Sequence, residues 1–279
     1  MVMFDYLVRF VDTQGGVVYG NLPRLTSLDD LVGSKVALLT GDPLKGFQKT
    51  DQTRTVKEVL CPLDSTPIFQ CIGVNYPLHA REGNDFKVPS QPIVFTKPGD
   101  SKAGPFDDVY CHPDARPELD YEGELCFVFG KDCKDATEET ALDYVLGYTT
   151  GNDLSARNYV PQEISGFQMS YGKSFDAFAP IGPYIVSSAI VGDPHKLDLV
   201  TKVNGEVRQK DNTSSMIWSI PQIIVHLSRG RTVRAGTVCM TGTPSGVGWF
   251  MRPSCFLKDG DIVEVSVEKV GTIRNKIVF

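Results

Sequence analysis

Short apolar runs rich in β-branched and aromatic residues recur along this chain, at residues 93–97, 125–129, 181–186, 199–203, 237–241, 262–267 and 271–278. Each run is of strand length and is bounded by turn-forming residues, so each reads as a β-strand. Residues 4–19 read as a hairpin whose turn is the cluster Asp12-Thr13-Gln14-Gly15-Gly16. Two helices are well signalled. Asp135 and Glu138 can form a capping box, after which Ala141, Leu142, Val145 and Leu146 keep one face apolar and Gly147 supplies a stop. Ser219 and Gln222 form a second capping box, with Pro221 in the first turn and Gly230 as the stop. Many strands and few helices, without a repeating βαβ pattern, define an α+β, mostly β fold.

The 279 residues suit one large domain, or one domain with a small addition. Residues 20–65 are weakly periodic and punctuated by Pro23, Pro43 and Pro62, so we expect a small N-terminal domain over 1–65 and a larger one over 66–279. The net charge of −6 is spread along the chain, which argues against a nucleic-acid partner. Nothing reaches the ~18 consecutive apolar residues of a membrane span, and no membrane partner is expected. Seven cysteines with irregular spacings form no zinc or CxxC pattern, and read as reduced thiols of a cytoplasmic protein, with a mitochondrial location left open.

The strand at 125–129 is preceded by Glu122-Gly123-Glu124. Side chains two apart on a strand share a face, so two carboxylates point side by side into apolar surroundings. Like charges in a partly buried site repel and raise each other's pKa. An exposed strand face would leave both solvated. A third carboxylate, Asp153, follows the strand-like Thr149-Thr150-Gly151-Asn152. A divalent cation resolves the repulsion if the three meet, and oxygen donors suit Mg²⁺ or Mn²⁺ better than zinc.

The stretches CIGVNYPLHARE, DYEGEL, GYTTGNDLSARN, GKSFDAFAPIGP, VNGEVRQKDNTSSMIWSIPQII, TGTPSGVG and LKDGDIVEVSVEKVGTIRNKI occur in an order that resembles the fumarylacetoacetate hydrolase superfamily over roughly residues 68–279. The likeness is nearest to its smaller members, among them acylpyruvases and oxaloacetate-acting enzymes. It implies a mixed β-roll with a few flanking helices, a homodimer, and Mg²⁺ or Mn²⁺ held by Glu122, Glu124 and Asp153. It assigns His79 and Glu82 to a dyad on a lid at about 77–90. Lys173 would face a substrate oxygen, and Arg157, Thr243 and Tyr76 would contact substrate.

Read from the residues alone, these positions have plainer alternatives. His79 and Glu82, three apart, share a face of a helical turn, where the carboxylate orients the imidazole as a base; a polar surface turn is equally compatible. Lys173 among aromatic residues can simply extend its amine to water. Arg157, four residues after Asp153, shares a face with it if that segment is helical, and a surface ion pair accounts for it. TGTPSGVG lacks the lysine of a phosphate loop and reads as a tight turn whose Thr243 hydroxyl or backbone N–H groups approach a substrate oxygen. Trp218 and Trp249 read as packing residues of the core or lid. One departure stands out. Many relatives read A-R-D-x-Q after the metal aspartate, whereas this chain has Ala156-Arg157-Asn158-Tyr159-Val160, with Gln162 two positions further on.

The expected function is therefore a metal-dependent enzyme acting on a β-dicarbonyl or β-keto acid through an enolate. C–C hydrolysis and decarboxylation are the leading expectations, keto–enol tautomerisation or a specialised biosynthetic decarboxylase the alternative, and a catalytically silent dimeric scaffold the outlier.

Overall fold

The structure, a computed structural model, describes residues 4–83, 88–166 and 168–279. Its larger sheet has eleven strands. Along its edge-to-edge path lie Val17–Leu22, Lys35–Asp42, Gly46–Val59, Tyr6–Asp12, Ala179–Val186, Val145–Asn152, Gly123–Phe129, Val238–Met240, Ile68–Gly73 and Ile93–Pro98, with Lys102–Ala103 added parallel to Ala179–Val186. The sheet is mixed, because Val238–Met240 also runs parallel to Ile68–Gly73. A second sheet of five strands carries Glu206–Asn212, Asp198–Val203, Ile262–Val267, Gly271–Val278 and Val109–Tyr110.

The strand Gly123–Phe129 is buried along its whole length, and its two faces serve two cores. Leu125, Phe127 and Phe129 pack with Leu199, Val267 and Ile224, between the large sheet, the second sheet and a helix. Cys126 and Val128 point the other way and pack with Cys71, Phe95, Ile181 and Met240. Glu122 and Glu124 share the face of Cys126 by the two-residue period, so the carboxylates sit where this second core ends. Gly123 between them is required by the second sheet. A Cβ there would lie 2.0 Å from Thr201 Oγ1, so only glycine lets the sheets approach beside the acidic pair.

The hairpin forms as expected, with strands Tyr6–Asp12 and Val17–Leu22. The first of these also pairs with Ala179–Val186, and Leu7 shares a core with Cys126 and Ile181. The helix Ile220–Ser228 carries both halves of the capping box, Ser219 Oγ accepting from Gln222 N–H and the Gln222 side chain accepting from Ser219 N–H. Such a cap contributes about 1 kcal/mol. The expected helix after Asp135 does not form. Asp135 takes a left-handed backbone (φ 50°) and accepts from Gly230 N–H, so it caps nothing downstream. Residues Ala141–Tyr144 make one 3₁₀ turn, and Val145 and Leu146 start the strand that runs through Gly147 to Asn152. The apolar spacing fits either structure. Pairing on both sides, with Gly123–Phe129 and Ala179–Val186, decides for the strand.

Candidate active site

Two chain segments deliver the three carboxylates. Glu122 and Glu124 flank Gly123 at the start of its strand, and Asp153 follows the end of the neighbouring strand, where Asp153 N–H donates to Glu122 O at 2.8 Å. One carboxylate oxygen from each lies within 4.8 Å of the others, and all three residues are buried. The Glu124 Oε2 accepts from Gly242 N–H at 2.7 Å. The expected Glu122–Glu124–Asp153 cluster is thus assembled in space.

Two lysines and an arginine answer this charge. Lys173 Nζ donates to Glu122 Oε2 and to Asp153 Oδ2, both at 2.7 Å, and is buried, so it does not reach out to water. Arg157 donates from Nε to Asp120 Oδ2 at 2.9 Å and from Nη2 to Glu122 Oε1 at 2.5 Å. It does not share a helical face with Asp153. The strand Ser155–Ala156 intervenes, and the two meet only through Glu122. Lys97 Nζ is 2.6 Å from Asp153 Oδ1, and its hydrogen bonds run to the carbonyls of Leu154 and Phe178, at 3.0 and 2.7 Å. Oδ1 is therefore ion-paired with the Lys97 ammonium, though without an aligned hydrogen bond.

The electrostatic consequences differ residue by residue. Burial pushes the Glu122 carboxyl up, but the charges of Lys173, Arg157 and His79 outweigh it and hold it well below the usual carboxylate range. Burial, reinforced by Asp153 and Glu122, pushes Glu124 well above its ordinary value. Burial opposes charge on Lys173, yet Asp153 and Glu122 prevail and keep it an ammonium ion.

Donor chemistry tests whether a metal fits. Three oxygen donors converge with no sulfur or imidazole among them. That donor set fits a hard divalent cation.

Above the cluster opens a cavity of about 420 Å³, with Glu122, Lys173 and Arg157 among its lining residues. His79 also lines it, from the short helix Pro77–Glu82, buried against the Phe250 ring at 5.9 Å. His79 Nδ1 is 2.7 Å from Glu82 Oε2, and Glu82 Oε1 accepts from Gly246 N–H at 2.8 Å. The dyad is thereby fixed at the cavity wall and is not a surface turn. Of the expected lid at 77–90, residues 84–87 lie outside the described residues. Gly246, in the expected tight turn, has φ 106°, and a Cβ there would lie 2.0 Å from Arg208 O. Thr243 lines the cavity, but its hydroxyl donates to Gly123 O and accepts from Gln209 Nε2. Tyr76 is buried beneath the helix with its hydroxyl unpartnered, and it is not among the cavity-lining residues. Trp249 stacks on Phe250 (5.1 Å, 18°) at the cavity wall, with the Arg157 guanidinium 5.2 Å from its ring centre. A larger depression, about 550 Å³, beside Tyr110, Tyr171 and Phe175 contains none of the charged cluster.

Two participants escaped the sequence reading. Asp120 continues the acidic alternation one step earlier, at 120, 122 and 124, and this was the available signal. It accepts from Arg157, Gly248 N–H and Trp249 N–H, tying the cation to the aromatic wall. Lys97 occupies the same strand face as Phe95, where the two-residue period calls for an apolar side chain.

A mixed sheet with a buried triad of carboxylates, matched by lysine and arginine at the floor of a cavity, defines a mostly β protein with a carboxylate-centred site. The family model described as "Fumarylacetoacetate (FAA) hydrolase C-terminal" matches residues 69–278, and the chain belongs to this family. It is 40% identical over 226 residues to "Oxaloacetate tautomerase fahd2, mitochondrial" of Xenopus laevis, covering 81% of this chain and 70% of that protein. It is 42% identical over 208 residues to "Oxaloacetate tautomerase YisK" of Bacillus subtilis, covering 74% and 68%. Its fold is similar to the crystal structure of 2-hydroxyhepta-2,4-diene-1,7-dioate isomerase from Mycobacterium marinum, with a TM-score of 0.82, 32% identity and 98% of each chain covered. The mostly β architecture is thus that of the family. No helix among the described residues is long and apolar enough to cross a membrane.

Proposed function

We propose that this protein interconverts the keto and enol forms of a β-keto or β-dicarbonyl 2-oxo acid. The observation that carries this reading is the convergence of Glu122, Glu124 and Asp153 on one point beside the Lys173 ammonium at the cavity floor. The similarity to proteins named oxaloacetate tautomerases supports it.

Glu122, Glu124 and Asp153 would hold Mg²⁺ or Mn²⁺, which when bound supplies Lewis-acid stabilisation of negative charge on a 2-oxo-enolate. Lys173, kept charged by its two carboxylate partners, donates from Nζ to oxygen on which charge develops. Arg157 orients Glu122 from one side, and its stacking on Trp249 holds the guanidinium plane. The aromatic wall of Trp249 and Phe250 excludes water, which strengthens each of these interactions. His79, with Nδ1 turned to Glu82, leaves Nε2 to accept a proton.

That dyad favours a second reading, hydrolysis of a C–C bond in an acylpyruvate, in which His79 Nε2 takes the proton of an attacking water. Decarboxylation of oxaloacetate uses the same enolate and needs no such base.

The first reading is tested by NMR. Mg²⁺-loaded protein in D₂O is expected to accelerate deuterium exchange at C3 of oxaloacetate and of acetylpyruvate, and chelation should remove the effect. Exchange no faster than in Mg²⁺ buffer alone sinks the reading. For the dyad we expect His79→Ala to keep metal binding, because His79 is not among the converging oxygen donors. Keto–enol exchange and any acylpyruvate hydrolysis should both fall roughly 10²–10⁴-fold, the usual worth of a positioned general base. Exchange within about tenfold of the wild type would remove His79 as the proton acceptor of the enolisation step.

A further inference from the structure

Gly123 stands between the two glutamates, and both of its backbone groups take side-chain partners. The strand Val238–Met240 pairs with Cys126, Phe127 and Val128 and stops short of Gly123. Gly123 N–H donates instead to Gln209 Oε1 at 2.9 Å, and the Gly123 carbonyl accepts from Thr243 Oγ1 at 2.9 Å. Gln209 Nε2 donates to the same Thr243 Oγ1 at 2.7 Å. A ring of hydrogen bonds therefore closes around the peptide groups that carry Glu122 and Glu124. Gln209 Nε2 also donates to Pro244 O at 2.8 Å. Two residues further on, Gly246 N–H donates to Glu82 Oε1, and Glu82 Oε2 holds His79. One amide thus bonds both to the strand that bears the acidic pair and to the turn that aims the dyad.

The chain delivers this amide by a local irregularity. Gln209 is the one buried residue of the strand Glu206–Asn212. In the pairing with Asp198–Val203, Thr201 faces Gln209 and Lys202 faces Val207, so Arg208 is an extra residue in a β-bulge. A bulge re-aims the side chains beside it. The Gln209 carbonyl comes so near Gly123 that a Cβ there would lie 3.3 Å from Oε1. The position calls for one acceptor and two donors on an uncharged side chain. A primary amide offers that set, whereas a carboxylate lacks the donors and an ammonium the acceptor.

We propose that Gln209 is a positioning residue for the reaction. Through Gly123 it sets the spacing of the Glu122 and Glu124 carboxylates, and through Pro244 and Gly246 it aims Glu82 and His79. The carboxylate cluster and the proton acceptor are thereby held in one register. The reaction served is the keto–enol step proposed above, but two of the three readouts below do not depend on turnover.

The test replaces Gln209 by Met in the full-length protein. The unpaired Gly123 N–H and Pro244 O should lower Tm by on the order of 5 °C, as loss of any buried amide would. The three readouts reach beyond stability. Mg²⁺ affinity measured by calorimetry should weaken roughly 10–100-fold. The ¹H–¹⁵N signals of the His79 imidazole, assigned by their loss in His79→Ala, should move, while those of His112, His195 and His226 stay in place. At saturating Mg²⁺, kcat for keto–enol exchange should fall on the order of 100-fold with KM within about threefold, because Gln209 is not among the cavity-lining residues. Tyr121→Phe loosens the same turn alone, since the Tyr121 hydroxyl donates to Gly246 O at 2.8 Å. It should move the His79 signals and lower kcat, with Mg²⁺ affinity within about twofold of the wild type. Should Gln209→Met not fold, Gln209→Asn, which keeps the amide on a shorter stem, decides by the same readouts. A lowered Tm with Mg²⁺ affinity, His79 signals and kcat all as in the wild type overturns the inference and leaves Gln209 a structural residue. Weakened Mg²⁺ affinity with unmoved His79 signals, or the reverse, overturns the claim that one amide serves both halves of the site. A wild type that accelerates no oxo acid removes the keto–enol reading, and calorimetry and NMR then decide this inference by themselves.

Discussion

Glu124→Gln is expected to stabilise the metal-free protein while abolishing its activity. The glutamine keeps an oxygen to accept the Gly242 N–H bond, so the backbone at the turn stays held. What disappears is a buried carboxylate whose charged form is opposed first by burial and then by the charges of Asp153 and Glu122. Relief of that repulsion should raise stability by about 1–2 kcal/mol in chelator-treated samples. The sign of its pH dependence follows from linkage. A carboxyl raised in the folded state binds its proton more tightly there than in the unfolded chain. Between its ordinary value of 4.5 and the raised one, the native state holds more protons, so its contribution to wild-type stability falls as pH rises. The stability difference between Glu124→Gln and wild type should therefore widen with pH above 4.5 and close below it. Mg²⁺ affinity measured by calorimetry should drop at least 100-fold, and keto–enol exchange should fall at least ~10³-fold, because the charge-stabilising contribution is the largest in such sites. A variant that still binds Mg²⁺ like the wild type would remove Glu124 from the ligand set. A variant less stable than wild type at pH 8 would show that the carboxylate is compensated in a way the charge balance does not contain.

Lys97→Met should be the most destabilising single change in the site. Lys97 is wholly buried, lies 2.6 Å from Asp153 Oδ1, and donates to two carbonyls from different segments, those of Leu154 and Phe178. Methionine fills the space but leaves one side of a buried carboxylate and two carbonyl oxygens without their partner. Breaking a buried ion pair from one side costs about 3–5 kcal/mol, which for a chain of this size is on the order of 10 °C in Tm. Asp153 also loses one of the two cations that orient it. Mg²⁺ affinity should weaken roughly 10–100-fold, as when groups that orient a ligand are removed. Arginine should not rescue, since its planar fork cannot take the place of a compact ammonium between two carbonyls and a carboxylate. Differential scanning calorimetry with and without Mg²⁺ separates the two effects. An unchanged Tm would mean that Lys173 alone balances Asp153.

These two residues illustrate how far the site could be read in advance. Glu124 was legible because charge is anomalous in a buried strand, and the two-residue period places it beside Glu122 on one face. The same period reveals Asp120 at the next step, but its partners, Arg157 and the amides of Gly248 and Trp249, come from segments 37 and more than 120 residues away. Lys97 carries the converse signal, a cation on an apolar strand face. Nothing near it in the chain says which anion it answers, because Asp153 is more than 50 residues further on.

Local chemistry determined the elements whose reasons are local. The Ser219 cap closes on its own helix, the Asp12–Gly16 turn returns its own hairpin, and the Glu122-Gly123-Glu124 spacing puts two carboxylates on one face whatever surrounds them. Tertiary structure decided the rest. Residues 141–147 satisfy helix and strand spacing alike, and pairing of Val145 and Gly147 with the strand Gly123–Phe129 limited the helical part to one 3₁₀ turn and made the rest the start of a strand. Only tertiary folding brings Asp153, Lys173, Lys97 and Arg157 to the two glutamates. The physical reason is range. Caps, turns and periodicity act over a few bonds along the chain, whereas charge balance in a low-dielectric interior is settled by whichever segments folding makes neighbours.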